Sequence, residues 1–283
     1  MTKLIDPKTG ALKTHGWGIN LEDNLVINWQ DARPISATPG SWLNRLQYRT
    51  WNYFLLHTPK HVIQFNFVDV LSDSTNQKGV CPSNIVIFEK SNPKAFKKVE
   101  DQSFSCPLYD RTTFFDFETP AHLDHGKLKM SISKLENTPG NQRLYRIKLQ
   151  EKEKLDLDLE LDFDYDQSPA SIFVVPMSND KKSYFANLKK PGIKVSGSYK
   201  YEGKKYDCDK TGNCLMMMDN GRTHNPYGVA YFWGLFMTKL SDGRIVTVNL
   251  GDGMANYDSL DQGAEDFIAV DNQYYKLDVT KMT

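Results

Sequence analysis

Side chains that could do chemistry are concentrated in one segment, residues 219–249. Asp219, Arg222 and His224 stand close together in it, and a run of aromatic residues follows them. His224 could act as a general acid or base if Asp219 oriented its ring. In the structural alternative, Asp219 pairs with Arg222 and His224 caps a loop. Because the sequence contains no complete catalytic motif, we favour the structural reading and assign no catalytic residue; an enzyme would use Asp219 and His224.

The same segment could line a binding pocket, because it joins a few fixed polar groups to an apolar wall. An earlier run, residues 45–54, mixes basic with aromatic side chains and complements it. Such a run can stack nucleotides, but in a chain of neutral charge it is more typical of a strand with a polar lining. The residues predicted to line the pocket are Trp51, Tyr53, Arg222, His224, Tyr227, Tyr231, Trp233 and Asn249.

Two acid-rich stretches begin like calcium-binding loops and then depart from the pattern. In the stretch that starts at Asp162, Gln167 replaces the required glycine and Phe173 replaces the final glutamate. In the stretch that starts at Asp207, Met218 stands at the position of that glutamate. Successive carboxylates on one strand face also lie about 7 Å apart, too far for one rigid cage. We therefore predict no metal site and no cofactor.

The elements that would position these residues are strands, because the dominant hydrophobic period is two. Residues 155–166 alternate apolar residues with acids, which predicts a strand with one buried and one solvated face. Turn signals at residues 202–203, 242–243 and 271–272 separate similar runs. Other predicted strands cover residues 61–71, 85–90, 127–134, 143–150, 171–176, 192–201, 229–240, 245–250 and 267–270. Helical periodicity is scarce, so we predict an all-β fold of barrels or sandwiches.

Composition limits the class of protein. The 283 residues carry 35 basic and 35 acidic side chains, and 12% of them are aromatic. A chain of this length can bury a core without disulfides, and its aromatic content argues against disorder. Its neutral balance argues against a nucleic-acid binder. The four cysteines are expected to be free thiols, with a Cys208–Cys214 disulfide as the alternative.

The N-terminus and the apolar runs indicate a location. The first residues lack the apolar core of a secretory signal and the basic, acid-free character of a transit peptide. The longest uncharged apolar stretch, residues 226–238, is too short for a membrane-spanning helix. We therefore expect an intracellular protein, soluble or peripheral to an assembly, and favour the cytoplasm over an organelle.

Several blocks of the sequence occur in the order typical of one family. Residues 218–227 match its D-W-G-R-G-x-W-P-Y block, although Asn220 replaces the first tryptophan and His224 stands near the second. Other matching blocks are residues 48–54, 172–176, 195–197, 243–251 and 265–277. The chain thus resembles a calycin-like double-barrel family of unknown function, distantly similar to hydroxyneurosporene synthase and tocopherol cyclase. The resemblance implies two lipocalin-like antiparallel β domains, residues 1–167 and residues 168–283, the second without some of its closing strands.

Two functions are compatible with the pattern and the resemblance. We favour a non-catalytic protein that binds a hydrophobic small molecule or lipid, or that serves as a scaffold subunit of a larger assembly. Strand edges left unpaired by an incomplete second barrel would recruit a protein partner. The alternative is an isomerase, cyclase or hydratase that acts on an apolar lipid or isoprenoid, with Asp219 or His224 as the acid. Neither function involves nucleic acid or a transmembrane segment.

Overall fold

The computed structural model describes residues 2–21, 24–28, 31, 48–70, 78–105, 120–125, 127–136, 142–209, 211–224, 231–252 and 265–277. Within these ranges the chain forms strands and turns, without an α-helix. The strands are β1 (Thr2–Lys3), β2 (Gly16–Ile19), β3 (Leu25–Val26), β4 (Tyr48–His57), β5 (His61–Val70), β6 (Lys78–Glu89), β7 (Asn92–Ser105), β8 (Ala121–His125), β9 (Leu128–Lys134), β10 (Leu144–Glu151), β11 (Leu157–Asp164), β12 (Ser171–Pro176), β13 (Tyr184–Tyr201), β14 (Lys204–Cys208), β15 (Leu215–His224), β16 (Phe232–Lys239), β17 (Ile245–Asp252), β18 (Phe267–Val270) and β19 (Gln273–Lys276). The predicted all-β class is confirmed.

The acid-rich strand β11 shows how the alternating pattern determines local structure. Its apolar residues, from Leu157 to Phe163 at every second position, are buried, whereas the acids between them are exposed or half-buried. β10 and β13 pair with it on either side in antiparallel register. On the solvated face, Arg146 of β10 lies 2.6 Å from Asp162. The predicted strand with one buried and one solvated face is confirmed.

Thirteen described strands form one antiparallel sheet with the order β7-β6-β5-β4-β15-β13-β11-β10-β9-β8; β12 and β14 also pair with β13, and β2 pairs with β12. The sheet is curled, because its end strands β7 and β8 approach each other to within 8 Å between Cα atoms. The inner face carries the largest apolar core, which includes Phe54, Phe65, Leu159 and Met218. A second cluster packs N-terminal residues such as Ile27 against β12 and the first half of β13.

The long strand β13 joins the two halves of this sheet. Its first half pairs with β12 and β15, and its second half pairs with β11 and β14. The register against β15 shifts between Lys190 and Ile193. Pro191 lacks an amide hydrogen there, and Gly192 has a φ of +72°, so the strand can bend between its two sets of partners.

Strands from both sides of the predicted junction at residues 167 and 168 belong to the same sheet. β4, from the first predicted domain, pairs over its whole length with β15, from the second. The 3₁₀ turn Tyr165–Gln167 follows β11 directly. The division of the chain into two domains stays a prediction.

A second, four-stranded sheet with the order β16-β17-β18-β19 packs against the outer face of the large sheet. Met237 and Ile245 of the small sheet contact Leu215 and Met217 of β15. The outer face of β15 is therefore covered by a second layer, while its inner face belongs to the curled sheet. This two-sided environment determines which side chains of β15 can meet a ligand.

The predicted hairpin turns are confirmed. Glu202 and Gly203 join β13 to β14 with φ values of +50° and +76°, as a two-residue type I′ turn requires. Gly243 and Asp271, in the turns of the small sheet, also have positive φ values of +92° and +52°.

Cys208 and Cys214 form a disulfide with their Cα atoms 5.4 Å apart. The expectation of free thiols is therefore wrong for this pair, and the disulfide alternative holds, because both cysteines lie against the same part of β13: Cys208 is opposite Gly197, and the backbone oxygen of Cys214 accepts from the amide of Val195. No helix in the described ranges is long and apolar enough to cross a bilayer. The compartment of the protein stays a prediction.

Candidate functional site

A cleft of about 390 Å³ opens on the outer face of the large sheet, beside the start of the small sheet. Strands β4, β5, β13 and β15 supply most of its wall. The lining residues are Arg49, Trp51, Tyr53, Gln64, Asn66, Val68, Phe185, Asn187, Asp219, Thr223, Tyr231 and Trp233. Four of the residues predicted to line a pocket, Trp51, Tyr53, Tyr231 and Trp233, are thus brought together at one cavity, and their role in binding a ligand stays a prediction.

The alternation of β15 separates the polar residues that the sequence places side by side. Asp219 and Thr223 point to the cleft on the outer face. Arg222 and His224 pair across the strands with Ala186 and Tyr184, which belong to the cluster on the inner face. Because side chains at odd and even positions of a strand lie on opposite faces, His224 does not meet Asp219 in the cleft.

Arg222 and His224, both predicted to line a pocket, lie on the inner face and do not line this cleft. The Nη1 atom of Arg222 donates to the backbone oxygen of Gly221 at 2.8 Å. The Nδ1 atom of His224 lies 2.8 Å from the backbone oxygen of Lys182, and burial lowers the pKa of this ring below its ordinary value. The predicted orientation of His224 by Asp219 is not formed, nor is the alternative pair of Asp219 with Arg222. Tyr227 lies outside the described residues.

The partner of Asp219 is Lys189, directly opposite on β13. The Nζ atom of Lys189 contacts Oδ2 of Asp219 and lies 3.2 Å from Oε2 of Glu265. The three side chains are 3%, 7% and 1% exposed, respectively. A buried ammonium thus bridges two buried carboxyl groups at the edge of the cleft, a costly arrangement unless each group is compensated.

Aromatic residues hold this ion cluster in place. The indole nitrogen of Trp51 donates to Oδ1 of Asp219 at 2.8 Å. The ring of Trp233 lies 4.8 Å from Nζ of Lys189, within the range of a cation–π contact. The indole nitrogen of Trp233 donates to Oδ1 of Asn249 at 2.8 Å. Asn249, predicted to line the pocket, is therefore behind Trp233 and orients it.

Burial and neighbouring charges determine the protonation of the cluster. Burial lowers the pKa of Lys189, but Asp219 and Glu265 outweigh this effect and hold that pKa above its ordinary value. Burial raises the pKa of Glu265, and Asp219 adds to the rise, while Lys189 opposes it. The raised pKa of Lys189 favours its charged form, and the raised pKa of Glu265 favours its protonated form.

Two tyrosines connect the ion cluster to the cleft. The hydroxyl of Tyr231 donates to Oε1 of Glu265, and Tyr231 lines the cavity whereas Glu265 lies behind it. Burial and nearby carboxylates raise the pKa values of Tyr53 and Tyr231 above their ordinary value. Both phenols therefore remain protonated and can donate hydrogen bonds.

Two glycines make room for this arrangement. A Cβ atom on Gly221 would lie 1.8 Å from the indole ring of Trp51, so only glycine lets Trp51 lie over β15 and reach Asp219. A Cβ atom on Gly251 would lie 2.4 Å from Oε1 of Glu265. In the 218–227 block, Gly221 and Asp219 thus contribute to the cleft on the outer face, whereas Arg222 lies on the inner face.

Sequence reasoning missed Lys189, Glu265, Asn187 and Phe185. In a strand over residues 215–224, alternation places the side chains of Asp219 and His224 on opposite faces, so the assignment of that segment as a strand is the signal that separates them. Nothing local in the sequence pairs Glu265 with Lys189. Among the described residues no three His, Cys, Asp or Glu side chains are arranged to hold a metal ion.

Fold and site together define an all-β protein whose curled sheet carries an open, aromatic-walled cleft beside a buried ion cluster. The chain belongs to the family described as domain of unknown function (DUF2804), whose sequence pattern matches residues 2–283. The match confirms the resemblance to a family of unknown function. No curated protein matches the sequence.

Two solved structures are similar to this chain at low identity. One is a protein of Nitrosomonas europaea that carries the provisional name ATTH, with 13% identity, a TM-score of 0.48, and coverage of 86% of this chain and 73% of that one. The other is kievitone hydratase from Nectria haematococca, with 9% identity, a TM-score of 0.40, and coverage of 80% and 63%.

Proposed function

We propose that the protein binds a small amphiphilic molecule in the cleft. The observation that supports this most is the chemistry of the cavity, in which an apolar wall meets a few oriented polar groups. The rings of Trp51 and Phe185 lie 5.7 Å apart between centroids, tilted by 32°, and Tyr53 meets Trp233 edge-on at 5.2 Å. These rings would cover the apolar body of a ligand.

Polar groups on the same cavity would fix one end of that ligand. Asp219 is held by Trp51 and Lys189, so its carboxylate is preorganised and costs little further order on binding. Gln64 and Asn66 of β5 add neutral polar groups along the wall. A ligand with an apolar body and one polar end fits this distribution.

The open cavity favours ligand binding over a purely structural role. A scaffold subunit would fill the space between its sheets with side chains, as the neighbouring contacts of Met217 with Met237 do. The cleft of about 390 Å³ is instead left open, within the size range of small-molecule sites. Recruitment of a protein partner through strand edges has no comparable support.

A titration with Nile red, a neutral apolar dye, tests the proposal. Val68 lines the cavity, so Val68→Trp would fill it and weaken binding by roughly tenfold or more. Val62→Trp is the matched control, because Val62 is a half-buried valine on the same face of β5 outside the cavity. Equal affinity of both variants and the native protein would place the dye elsewhere and contradict the proposal.

A second candidate function is acid-catalysed isomerisation or hydration of an apolar alkene. The raised pKa of Glu265 and the position of Tyr231 between Glu265 and the cavity favour it. The Tyr231 hydroxyl donates to Glu265 in the resting structure; when it turns its proton to an alkene in the cavity, a protonated Glu265 can replace that proton. The sequence indicated Asp219 or His224 as the acid; His224 lies on the opposite face of β15, and Asp219, although on the cleft, is paired with Lys189.

In this reaction each bond that forms takes its proton and electrons from a named group. The π electrons of the alkene form a C–H bond with the Tyr231 proton, and the Glu265 proton replaces it on the phenol. A carbocation and a Glu265 carboxylate result. Loss of a proton from a neighbouring carbon to that carboxylate gives an isomerised alkene, and addition of water with loss of its proton gives an alcohol.

Deuterium incorporation into an alkene in D₂O tests the second candidate. Myrcene, a ten-carbon isoprenoid, is the probe, and mass spectrometry measures its deuterium content. Glu265→Gln keeps the shape and removes the acid, so incorporation is lost; Glu160→Gln, an exposed acid on β11, leaves it unchanged. Incorporation that survives Glu265→Gln would rule out Glu265 as the proton source.

A further inference from the structure

A second pocket, of about 280 Å³, lies where the hairpin of β6 and β7 meets the hairpin of β13 and β14. It shares no lining residue with the cleft. Its lining residues are His61, Ile87, Glu89, Phe96, Lys97, Tyr201, Glu202, Lys204 and Tyr206. Four of them are rings, and both acids are exposed. Aromatic rings beside carboxylates are the groups that attract an organic cation.

The rings of this pocket hold one another in place. Tyr206 stacks on Tyr199 with 4.9 Å between ring centroids and 13° between the planes. The ring of His61 lies 5.2 Å from that of Tyr201 and 5.0 Å from that of Tyr206, nearly perpendicular to both. The Nδ1 atom of His61 lies 2.9 Å from the hydroxyl of Tyr199. The aromatic wall is therefore preorganised, which lowers the cost of binding a ligand.

The imidazole of the wall does not repel a cation. Burial lowers the pKa of His61 below its ordinary value, although Glu89 and Glu202 oppose this fall. At pH 8 the ring is therefore neutral, and the two acids of the pocket attract a cation without an imidazolium between them.

A lysine of the protein itself shows which chemistry the pocket accepts. The Nζ atom of Lys97 contacts a carboxylate oxygen of Glu202 and lies 5.8 Å from the centre of the Tyr201 ring, within the range of a cation–π contact. The side chains of Lys97 and Glu202 are 50% and 53% exposed. An ion pair this exposed is worth little in water, so a ligand cation can displace Lys97.

A second carboxylate is available beside this pair. Glu89 is exposed and stands opposite His61 across β5 and β6. In the described part of the chain it forms no ion pair. The other lysine of the pocket, Lys204, is exposed, and solvent screens its repulsion of a cation.

The apolar surface of the pocket favours a methylated cation over a bare one. Phe96 is 58% exposed, and Ile87 reaches the same pocket. Methyl groups would cover this surface and remove it from water. A primary ammonium is a compact, strongly hydrated charge and gains nothing from such a surface.

We propose that this pocket binds a small organic cation with a methylated ammonium group, which lies against the aromatic wall and pairs with Glu89 and Glu202. The cation takes the place of Lys97 beside Glu202. The site is separate from the cleft, so it does not depend on the function proposed for the cleft.

Choline and 3,3-dimethyl-1-butanol test the need for the charge, because the two molecules have nearly the same shape and only choline is a cation. Each carries three equivalent methyl groups, so a proton NMR titration at pH 8 measures both affinities in the same way. We expect choline to bind about tenfold more tightly, a typical effect of a cation–π contact with an ion pair. Equal affinities, tighter binding of the alcohol, or no binding of choline would overturn the proposal.

The variant Lys97→Gln should bind choline more tightly, a gain that damage to the fold would not produce. It removes the competing ammonium, so affinity should rise roughly threefold, the effect of one exposed ion pair. Lys98→Gln is the matched control, because Lys98 is an exposed neighbour that pairs with Glu100 outside the pocket. An affinity that Lys97→Gln lowers or leaves unchanged contradicts the displacement of Lys97.

The variant Glu89→Gln should weaken choline binding by roughly threefold or more. Glu100→Gln, an exposed acid of β7 outside the pocket, should leave it unchanged, and thermal unfolding checks that both variants fold. Sedimentation with phosphatidylcholine vesicles identifies the source of the cation: binding that Glu89→Gln weakens indicates a lipid headgroup, and choline binding without sedimentation indicates a free molecule. Choline affinity that Glu89→Gln leaves unchanged would refute the cation site.

Discussion

Removing the buried ammonium of Lys189 should cost the protein much of its stability. In Lys189→Met, Asp219 and Glu265 lose their shared positive partner while staying 7% and 1% exposed. Breaking a buried ion pair by removing one partner costs about 3–5 kcal/mol, a large part of the roughly 5–15 kcal/mol that stabilises a typical protein. For a chain of this size the midpoint of thermal unfolding should fall by roughly 10 °C, as measured by scanning calorimetry and by urea unfolding.

A control variant and a double variant determine whether burial of the charges causes the loss of stability in Lys189→Met. Lys182 forms a 3.7 Å pair with Asp180 in which both side chains are exposed by more than a third, so Lys182→Met should cost less than about 1 kcal/mol. Adding Asp219→Asn to Lys189→Met removes the uncompensated charge, and the double variant should recover about 2 kcal/mol relative to the sum of the single changes. A Lys189→Met protein within about 1 kcal/mol of the native one, or purely additive losses, would refute the reasoning.

The pH dependence of Lys189→Met gives the same test with a definite sign. Burial raises the pKa of Glu265, and Lys189 counteracts the rise, so the variant should raise that pKa further. The folded state then binds more protons than the unfolded state above pH values of about 4.3, the unfolded value. Stability therefore falls as the pH rises through this window, and the deficit of the variant should be smaller at pH 5 than at pH 7.

Three further predictions concern the surroundings of the cleft. Gly221→Ala should displace the ring of Trp51, because an added Cβ would lie 1.8 Å from it. We expect a shift of tryptophan emission, to the blue or the red, and roughly tenfold weaker Nile red binding. Unchanged emission and affinity would show that Trp51 tolerates a side chain there. Cys208→Ser should cost roughly 2 kcal/mol in urea unfolding without reductant, the value for so short a loop, and no loss in reductant. Burial and Lys90 lower the pKa of His57 to about 4. The unfolded state therefore binds more protons between that value and about 6.5, and stability falls as the pH drops through this window. His57→Gln should flatten this part of the plot of unfolding free energy against pH, and an unchanged slope would contradict the assignment.

Much of the fold could be predicted because many of its strands have one solvent-exposed and one buried face. β11 alternates leucine with acids, and its burial follows the same alternation. β15 could not be recognised in this way. All ten of its residues are buried. The curled sheet encloses one face, and the small sheet and the side chains of the cleft wall cover the other. A central strand of this kind has no polar face, so alternation of polar and apolar residues does not identify it in the sequence.

The candidate site could be predicted only in its aromatic part. Trp51, Tyr53, Tyr231 and Trp233 are large residues near turn and strand signals, and the structure places all four on the cleft. The ion cluster joins Lys189 to Glu265 across 76 positions of sequence. Such a contact depends on the packing of the two sheets, and no local pattern records it.

Native mass spectrometry of the protein, purified under mild conditions from its own source, tests the central claim most directly. The native protein should carry a small molecule of one or a few defined masses that is released on unfolding. Val68→Trp, which fills the cleft, should lose these masses, and Val62→Trp, outside it, should keep them. A native protein without any bound mass, or the same masses retained by Val68→Trp, would contradict a ligand site in the cleft.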